Sequence, residues 1–314
     1  MEYRNLGRTG EQVSAITLGA WLYGKQMWGE VSDDESVATI HAALDAGINM
    51  IDTAVGYGGG YSEQVVGETV ADRRDQVLLA SKCGAHPKGI HKGIDEALQR
   101  MRTDRIDLYQ VHYPSPRIPI ADTIGAMAEI QQAGKIRWIG VSNFSVPQMR
   151  EALAVARIET SQPPFNVFWR EVDHEHLPFC VENEISVIPY SPLAQGLLAG
   201  RFRKPNAVPD DIRSKNKLMS PGVLEQCNEV VDFIEQVGQR HGKTLVQTVI
   251  AWTVHFPGIT SPIVGARRPS QLQENLGGVG WKPADEEMEE IGERGLSIAS
   301  QMDYTTNMWS WAPG

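Results

Sequence analysis

The chain has 314 residues, 41% of them hydrophobic and 22% charged, which supplies a large core and excludes a low-complexity or disordered class. A net charge of −10 and a pI near 5.3 argue against a general nucleic-acid or anionic-membrane surface, while leaving room for a local basic pocket. No apolar run approaches the ~20 residues of a membrane helix, and the opening "MEYRNLGRTG" has no apolar signal core.

The three cysteines, Cys83, Cys180 and Cys227, are odd in number and widely spaced. They read as free thiols, and the expected location is the cytoplasm. In chain order, "EYRNLGRTGEQVSA" carries turn chemistry at Thr9-Gly10 between two short extended pieces, so a leading hairpin is expected, closing a barrel floor. Eight strand-like runs follow: "ITLG" (16–19), "NMID" (49–52), "VLLAS" (77–81), "IDLYQV" (106–111), "WIGVS" (138–142), "IETS" (158–161), "SVIPY" (186–190) and "SPIV" (261–264).

Helical patterns lie between them, such as "DDESVATIHAALDAG", "GIDEALQRM", "IADTIGAMAEIQQAG" and "TLVQTVIAWTVHF". Asp33 or Asp34 is expected to cap the first, and Gly47 to stop it. Alternating strands and helices give a parallel sheet, and eight such units point to a closed (β/α)8 TIM barrel forming one domain over 1–314. Residues 192–220 read as a long mobile loop above the barrel. A further C-terminal helix, "ADEEMEEIGERG", precedes an aromatic tail.

In a parallel barrel the C-terminal strand ends form the functional face. The polar residues at those ends are Asp52, Lys82, His112, Ser142 with Asn143, Gln162 and Tyr190. Positions 52, 82, 112 and 142 recur every 30 residues, the length of one βα unit, which brings them to one rim. Tyr57 stands among glycines in the loop above Asp52. A lone strand-end Asp is often only a turn or helix cap; four chemically complementary residues at one mouth are a different matter.

An unperturbed phenol, with a pKa of about 10, sheds a proton poorly near neutrality. An ammonium beside it favours the phenolate, and a carboxylate beside the ammonium holds it charged. An imidazole can orient a carbonyl oxygen. Together Tyr57, Lys82, Asp52 and His112 form a general acid aimed at an oxyanion position.

With these residues in place, the sequence resembles the aldo-keto reductase family. The matching segments are "IDTAVGYG" (51–58), "VLLASKCG" (77–84), "LYQVHYP" (108–114), "GVSNFS" (140–145), "QPPFNV" (162–167), "IPYSPLAQGLLAG" (188–200) and "IVGARRPSQLQEN" (263–275), in order over nearly the whole chain. The branch is similar to the bacterial general-stress-protein reductases, relatives of potassium-channel β subunits. The resemblance implies carbonyl reduction with a nicotinamide cofactor and a catalytic tetrad of Asp52, Tyr57, Lys82 and His112. NADP(H) is the expected cofactor and NAD(H) the second choice.

The resemblance also implies that Ser142, Asn143 and Gln162 hold the nicotinamide carboxamide and that Tyr190 stacks on the ring. Ala20, Trp21 and Asp52 border the cofactor, and Ser191, Pro192, Leu193, Gln195 and Gly196 run along the pyrophosphate. Gly265, Arg267, Arg268, Gln271, Glu274 and Asn275 take the adenosine half, where Arg267 and Arg268 can grip a 2′-phosphate. Ser270 to Asn275 open a helix whose N-terminus suits phosphate, and Arg201 or Arg213 can clamp from the long loop. Many relatives carry Lys-Ser where Gly265-Ala266 stand here, and Gln271 replaces an Arg common elsewhere.

Trp21, Tyr57 and His112 are expected to line the substrate pocket, with Trp28, Trp309 and Trp311 as further aromatic candidates. "GYGGGY" (56–61) misses the dinucleotide-binding glycine spacing and reads as loop flexibility. "DHEH" (173–176) offers His174 and His176 without further metal ligands and reads as a surface loop, so no metal is expected. Cys83 reads as barrel packing. The main expectation is a reductase of small aldehydes or ketones whose partner is a small carbonyl or alcohol. The rival is a cofactor-loaded sensor or auxiliary subunit with slow turnover. Nucleic acid and membrane are not expected partners, and the oligomeric state is not legible.

Overall fold

The computed structural model describes residues 1–25, 31–203 and 211–302; Trp28, Trp309, Trp311 and part of the 192–220 loop lie outside the described residues. The chain opens with an antiparallel hairpin of β1 (Tyr3–Asn5) and β2 (Gln12–Ser14). Its turn is closed by Leu6 and Thr9 and relaxed by Gly10 at φ +80°.

Eight parallel strands follow: β3 (Thr17–Gly19), β4 (Met50–Asp52), β5 (Leu78–Cys83), β6 (Ile106–Val111), β7 (Ile136–Ser142), β8 (Thr160–Gln162), β9 (Ser186–Val187) and β10 (Ile263–Gly265). Each pairs with the next up to β9, and β10 pairs with β3. The ring is drawn together where Thr260 and Ile263 donate backbone N–H groups to Val187 and Pro189, each at 2.8 Å. This is a (β/α)8 barrel, and each of the eight expected runs contributes a strand.

The helices are α1 (Asp33–Asp45), α2 (Tyr61–Thr69), α3 (Pro87–Arg100), α4 (Ile120–Gln132), α5 (Val146–Leu153), α6 (His176–Glu182), α7 (Val223–Arg240), α8 (Leu245–Val254), α9 (Pro269–Leu276) and α10 (Asp285–Ala299). One capping expectation is corrected. Ser32 caps α1 by accepting the Glu35 N–H at 3.2 Å. Asp33, Asp34 and Glu35 instead fill the first turn, where their charge suits the helix dipole. Gly47 lies just past the end at φ +85°, as expected of a stop. The "DHEH" stretch is not a plain surface loop: His174 is exposed, while His176 begins α6, buried, with Nε2 2.9 Å from Ser161 Oγ.

Strand residues alternate between two cores. Ile51, Leu79, Tyr109, Ile139 and Val141 face outward into the helix layer. Met50, Leu78, Ala80, Leu108, Trp138 and Ile188 face the barrel axis, joined by Leu6 and Val13 from the hairpin. The hairpin therefore plugs the floor. Polar chemistry is left to the other end.

Candidate active site

Two residues beyond Met50, Ala80 and Leu108 on the same inward face come Asp52, Lys82 and Gln110, with Gln162 at the end of β8. All four are buried; Lys82 is 0% and Asp52 2% exposed. Lys82 Nζ donates to Asp52 Oδ1 at 2.5 Å, to Thr53 O at 2.9 Å and to Tyr57 Oη at 3.1 Å. Three donors meet three oxygens, so the ammonium is fully satisfied where water does not reach. The other carboxylate oxygen of Asp52 accepts from Gln110 at 3.1 Å and Gln162 at 3.0 Å.

Tyr57 owes its place to glycines. Gly58 has φ +69°, and a Cβ there would lie 2.3 Å from Gly24 O. The backbones of the Trp21–Gly24 turn and the Tyr57 loop thus meet in direct contact, which stacks Trp21 on Tyr57 at 6.0 Å. The glycines of "GYGGGY" therefore hold the loop in place as well as giving it freedom. His112 follows β6 and presents its ring edge-on to Tyr57 at 6.1 Å, with Tyr113 stacked behind it at 5.0 Å.

Electrostatics correct one expectation. Burial raises the Tyr57 pKa; the Lys82 ammonium pulls it down without outweighing burial, so the net direction is upward. Burial alone would lower Lys82, yet Asp52 and Tyr57 together hold its pKa above the ordinary value. Burial, with Lys82 nearby, depresses His112 to about 3, so its imidazole is neutral. Near neutrality the site therefore holds a protonated phenol, a charged lysine and a neutral imidazole. Proton donation to an oxygen in front of Tyr57 is the chemistry this combination allows.

In front of Tyr57 lies a cleft of about 320 Å³. Ala20, Trp21, Asp52, Tyr57, His112, Ser142, Gln162 and Tyr190 line its inner part. Ser191, Pro192, Leu193, Gln195, Gly196, Arg201, Arg213, Gly265, Arg267 and Gln271 carry it outward. Ser191, Ala194 and Gln195 are non-glycine residues at φ +59°, +45° and +56°. Such a cluster of left-handed backbone persists only where surrounding contacts hold it, and it marks functional loops. Asn166 holds Ser191 O at 3.1 Å, and Asn216 holds Gln195 Oε1 at 3.2 Å.

At the outer end Arg267 has its pKa lowered by burial and by the neighbouring charges of Arg201 and Arg213. Like charges gathered at one end of a cleft fit an anion there. Arg213 is also paired with Asp211 at 2.6 Å. Anionic groups would meet these arginines, and a flat ring would meet Tyr190 beside the Gln162 amide and the Ser142 hydroxyl. An elongated dinucleotide fits this set of groups.

Five expected site residues do not line the cleft. Lys82 stands behind Tyr57. Asn143, at φ +60°, donates to His112 O at 3.0 Å and accepts from Tyr190 Oη at 2.9 Å, so it braces two cleft walls. Arg268 is exposed and lies just before α9, at its N-cap. Glu274 accepts from the Thr244 hydroxyl, and Asn275 donates to Gly265 O at 3.3 Å, so both act as struts.

Sequence reading missed Leu22, Tyr113 and Ile212 in the lining, and Gln110 behind it. Only Gln110 left a signal: a polar residue on the inward face of its strand, in step with Leu108 and His112. Cys83 packs against Gln110 O and Met127 Sδ, with burial pushing its pKa up to about 12, which fits a packing role.

The chain matches the Aldo/keto reductase family over residues 15–294. It is 39% identical over 306 residues to "Aldo-keto reductase YhdN" of Bacillus subtilis (strain 168), covering 93% of this chain and 92% of that protein. It is 33% identical over 301 residues to "NADH-specific methylglyoxal reductase" of Escherichia coli (strain K12), covering 86% and 91%. Among solved structures, the glycerol dehydrogenase AKR11B4 from Gluconobacter oxydans superposes with a TM-score of 0.88 at 33% identity, covering 96% of this chain and 98% of that one.

Proposed function

The chain belongs to the aldo/keto reductase family, and from that premise we propose that it reduces small aldehydes or ketones to alcohols with NADP(H), NAD(H) being the competing cofactor. The observation that carries this reading is the buried line from Asp52 through Lys82 to Tyr57, which ends at the cleft 3.1 Å from the ammonium. When bound, the nicotinamide supplies the hydride. Tyr57 gives its proton to the carbonyl oxygen, and Lys82, held charged by Asp52, stabilises the phenolate left behind.

The neutral His112 ring donates an N–H to the same oxygen and orients the carbonyl. Trp21, Tyr57 and His112 form the substrate end. Ser142 and Gln162 would hold the carboxamide, Tyr190 would back the ring, and Arg201, Arg213 and Arg267 would take the phosphates. In the oxidative direction Tyr57 is the base. The name of the E. coli relative makes cofactor choice the first quantity to measure.

Three buried free cysteines support work in a reducing compartment, the cytoplasm. Among the described residues no helix is long and apolar enough to cross a membrane. A steady-state panel of small aldehydes and ketones, run with NADPH and NADH in parallel, tests the proposal. Turnover of several carbonyls with NADPH ahead of NADH is the expected result. Tight cofactor binding with negligible turnover on every carbonyl would instead make the protein a sensor.

A further inference from the structure

Gln110 belongs to the site's interior but has no place in the chemistry described above. It is 0% exposed, faces the barrel axis and does not line the cleft. Its stem occupies room left by a missing side chain: a Cβ on Gly140, its partner across β7, would stand 2.8 Å from Gln110 Cγ. Its amide makes two contacts, donating to Asp52 Oδ2 at 3.1 Å and accepting from Gln162 Nε2 at 3.2 Å.

The direction of these bonds is dictated by chemistry. A carboxylate only accepts, so the Asp52 oxygen draws the N–H end of Gln110 toward itself. That leaves the carbonyl end of Gln110 facing Gln162 and draws the N–H end of Gln162 inward. Gln162 then has both amide hydrogens engaged below the cleft, one on Asp52 at 3.0 Å and one on Gln110. What it offers the cleft is its carbonyl oxygen.

We propose that Gln110 is a positioning residue that, together with Asp52, fixes the polarity of Gln162, so that the cleft presents an acceptor to the N–H₂ of a primary carboxamide. This rests on the reading of Gln162 as a cofactor contact. Without the Gln110 carbonyl, one Gln162 hydrogen would be buried without a partner, and only the bond to Asp52 would hold the N–H end inward.

The test is cofactor affinity, measured by quenching of protein fluorescence during titration with NADPH, with no turnover required. Gln110→Leu keeps the volume and removes both polar ends; affinity is expected to fall roughly three- to tenfold, the range of one neutral hydrogen bond. Gln110→Glu separates positioning from packing. While protonated, the new carboxyl can donate to Asp52 and accept from Gln162, so affinity stays near wild type.

Once ionised, that carboxyl repels Asp52, and burial beside a like charge places this transition above the ordinary carboxylate range. Ionised or not, it still accepts the Gln162 N–H, so NADPH affinity of Gln110→Glu should stay well above that of Gln110→Leu. Gln162→Leu is the control. If it weakens NADPH while Gln110→Leu does not, the inference is overturned and the reading of Gln162 stands. If Gln162→Leu also binds as wild type, that reading fails and the inference fails with it. Should Gln110→Leu not fold, Gln110→Met, which also lacks both polar ends, decides: NADPH affinity equal to wild type overturns the proposal.

Discussion

The barrel interior holds two layers built by the same strands. In the lower one Met50, Ala80 and Leu108 close on Leu6, Val13 and Trp138. Two residues along, the same strands put Asp52, Lys82 and Gln110 into equally dry surroundings. The lower layer needs only to fill space, because apolar burial is non-directional. In the upper layer each buried polar group must have a partner, since an unpaired one costs free energy on the scale of a lost hydrogen bond or more. One end of the barrel is therefore a source of stability, and the other a set of aligned charges and amides that the stable end holds in place.

The largest expected effect isolates the upper layer. Tyr57→Phe keeps the ring stacked on Trp21 and deletes the proton donor, so carbonyl reduction should fall by about 10²–10⁴-fold. The urea midpoint and NADPH affinity should stay near wild type. Retention of half the wild-type rate would remove Tyr57 from the chemistry.

The converse change is made below. Leu108→Ala empties part of the floor and should cost about 2–5 kcal/mol of stability in urea unfolding, with kcat/KM of the remaining folded enzyme within about twofold. A loss of catalysis to match Tyr57→Phe would mean that the two layers do not act separately.

A smaller effect concerns the outer cleft. Arg267 lines it and Arg268 does not. Arg267→Ala should weaken NADPH by roughly tenfold or more relative to NADH, the worth of a charge-assisted bond. Arg268→Ala should change little. Equal loss for both cofactors in Arg267→Ala would show that this side chain does not read the 2′-phosphate.

The smallest effect is an absence of change. Burial holds His112 neutral down to about pH 3. A base with a depressed pKa stays unprotonated throughout the working range, so kcat/KM for reduction should show no His112 inflection between about pH 5 and 8. An inflection near pH 6.5 that disappears in His112→Gln would place the ring in water, unlike the lysine behind it.

From the sequence alone came the strands, the barrel class, the plugging hairpin and the convergence of Asp52, Tyr57, Lys82 and His112. Those features leave local marks: apolar runs and turn chemistry lie within short segments, and a 30-residue recurrence survives in one dimension because it depends only on spacing. Only the tertiary structure decided that burial, and not Lys82, sets the direction of the Tyr57 pKa. It alone separated Arg267 from its neighbour Arg268, turned Asn143 into a brace and tied Gln110 to Asp52 and Gln162. These outcomes depend on depth and on contacts between segments far apart in the chain. A pKa sums the desolvation and charge of everything nearby, and an amide's orientation depends on which neighbour can only accept, so neither can be read from spacing along one strand.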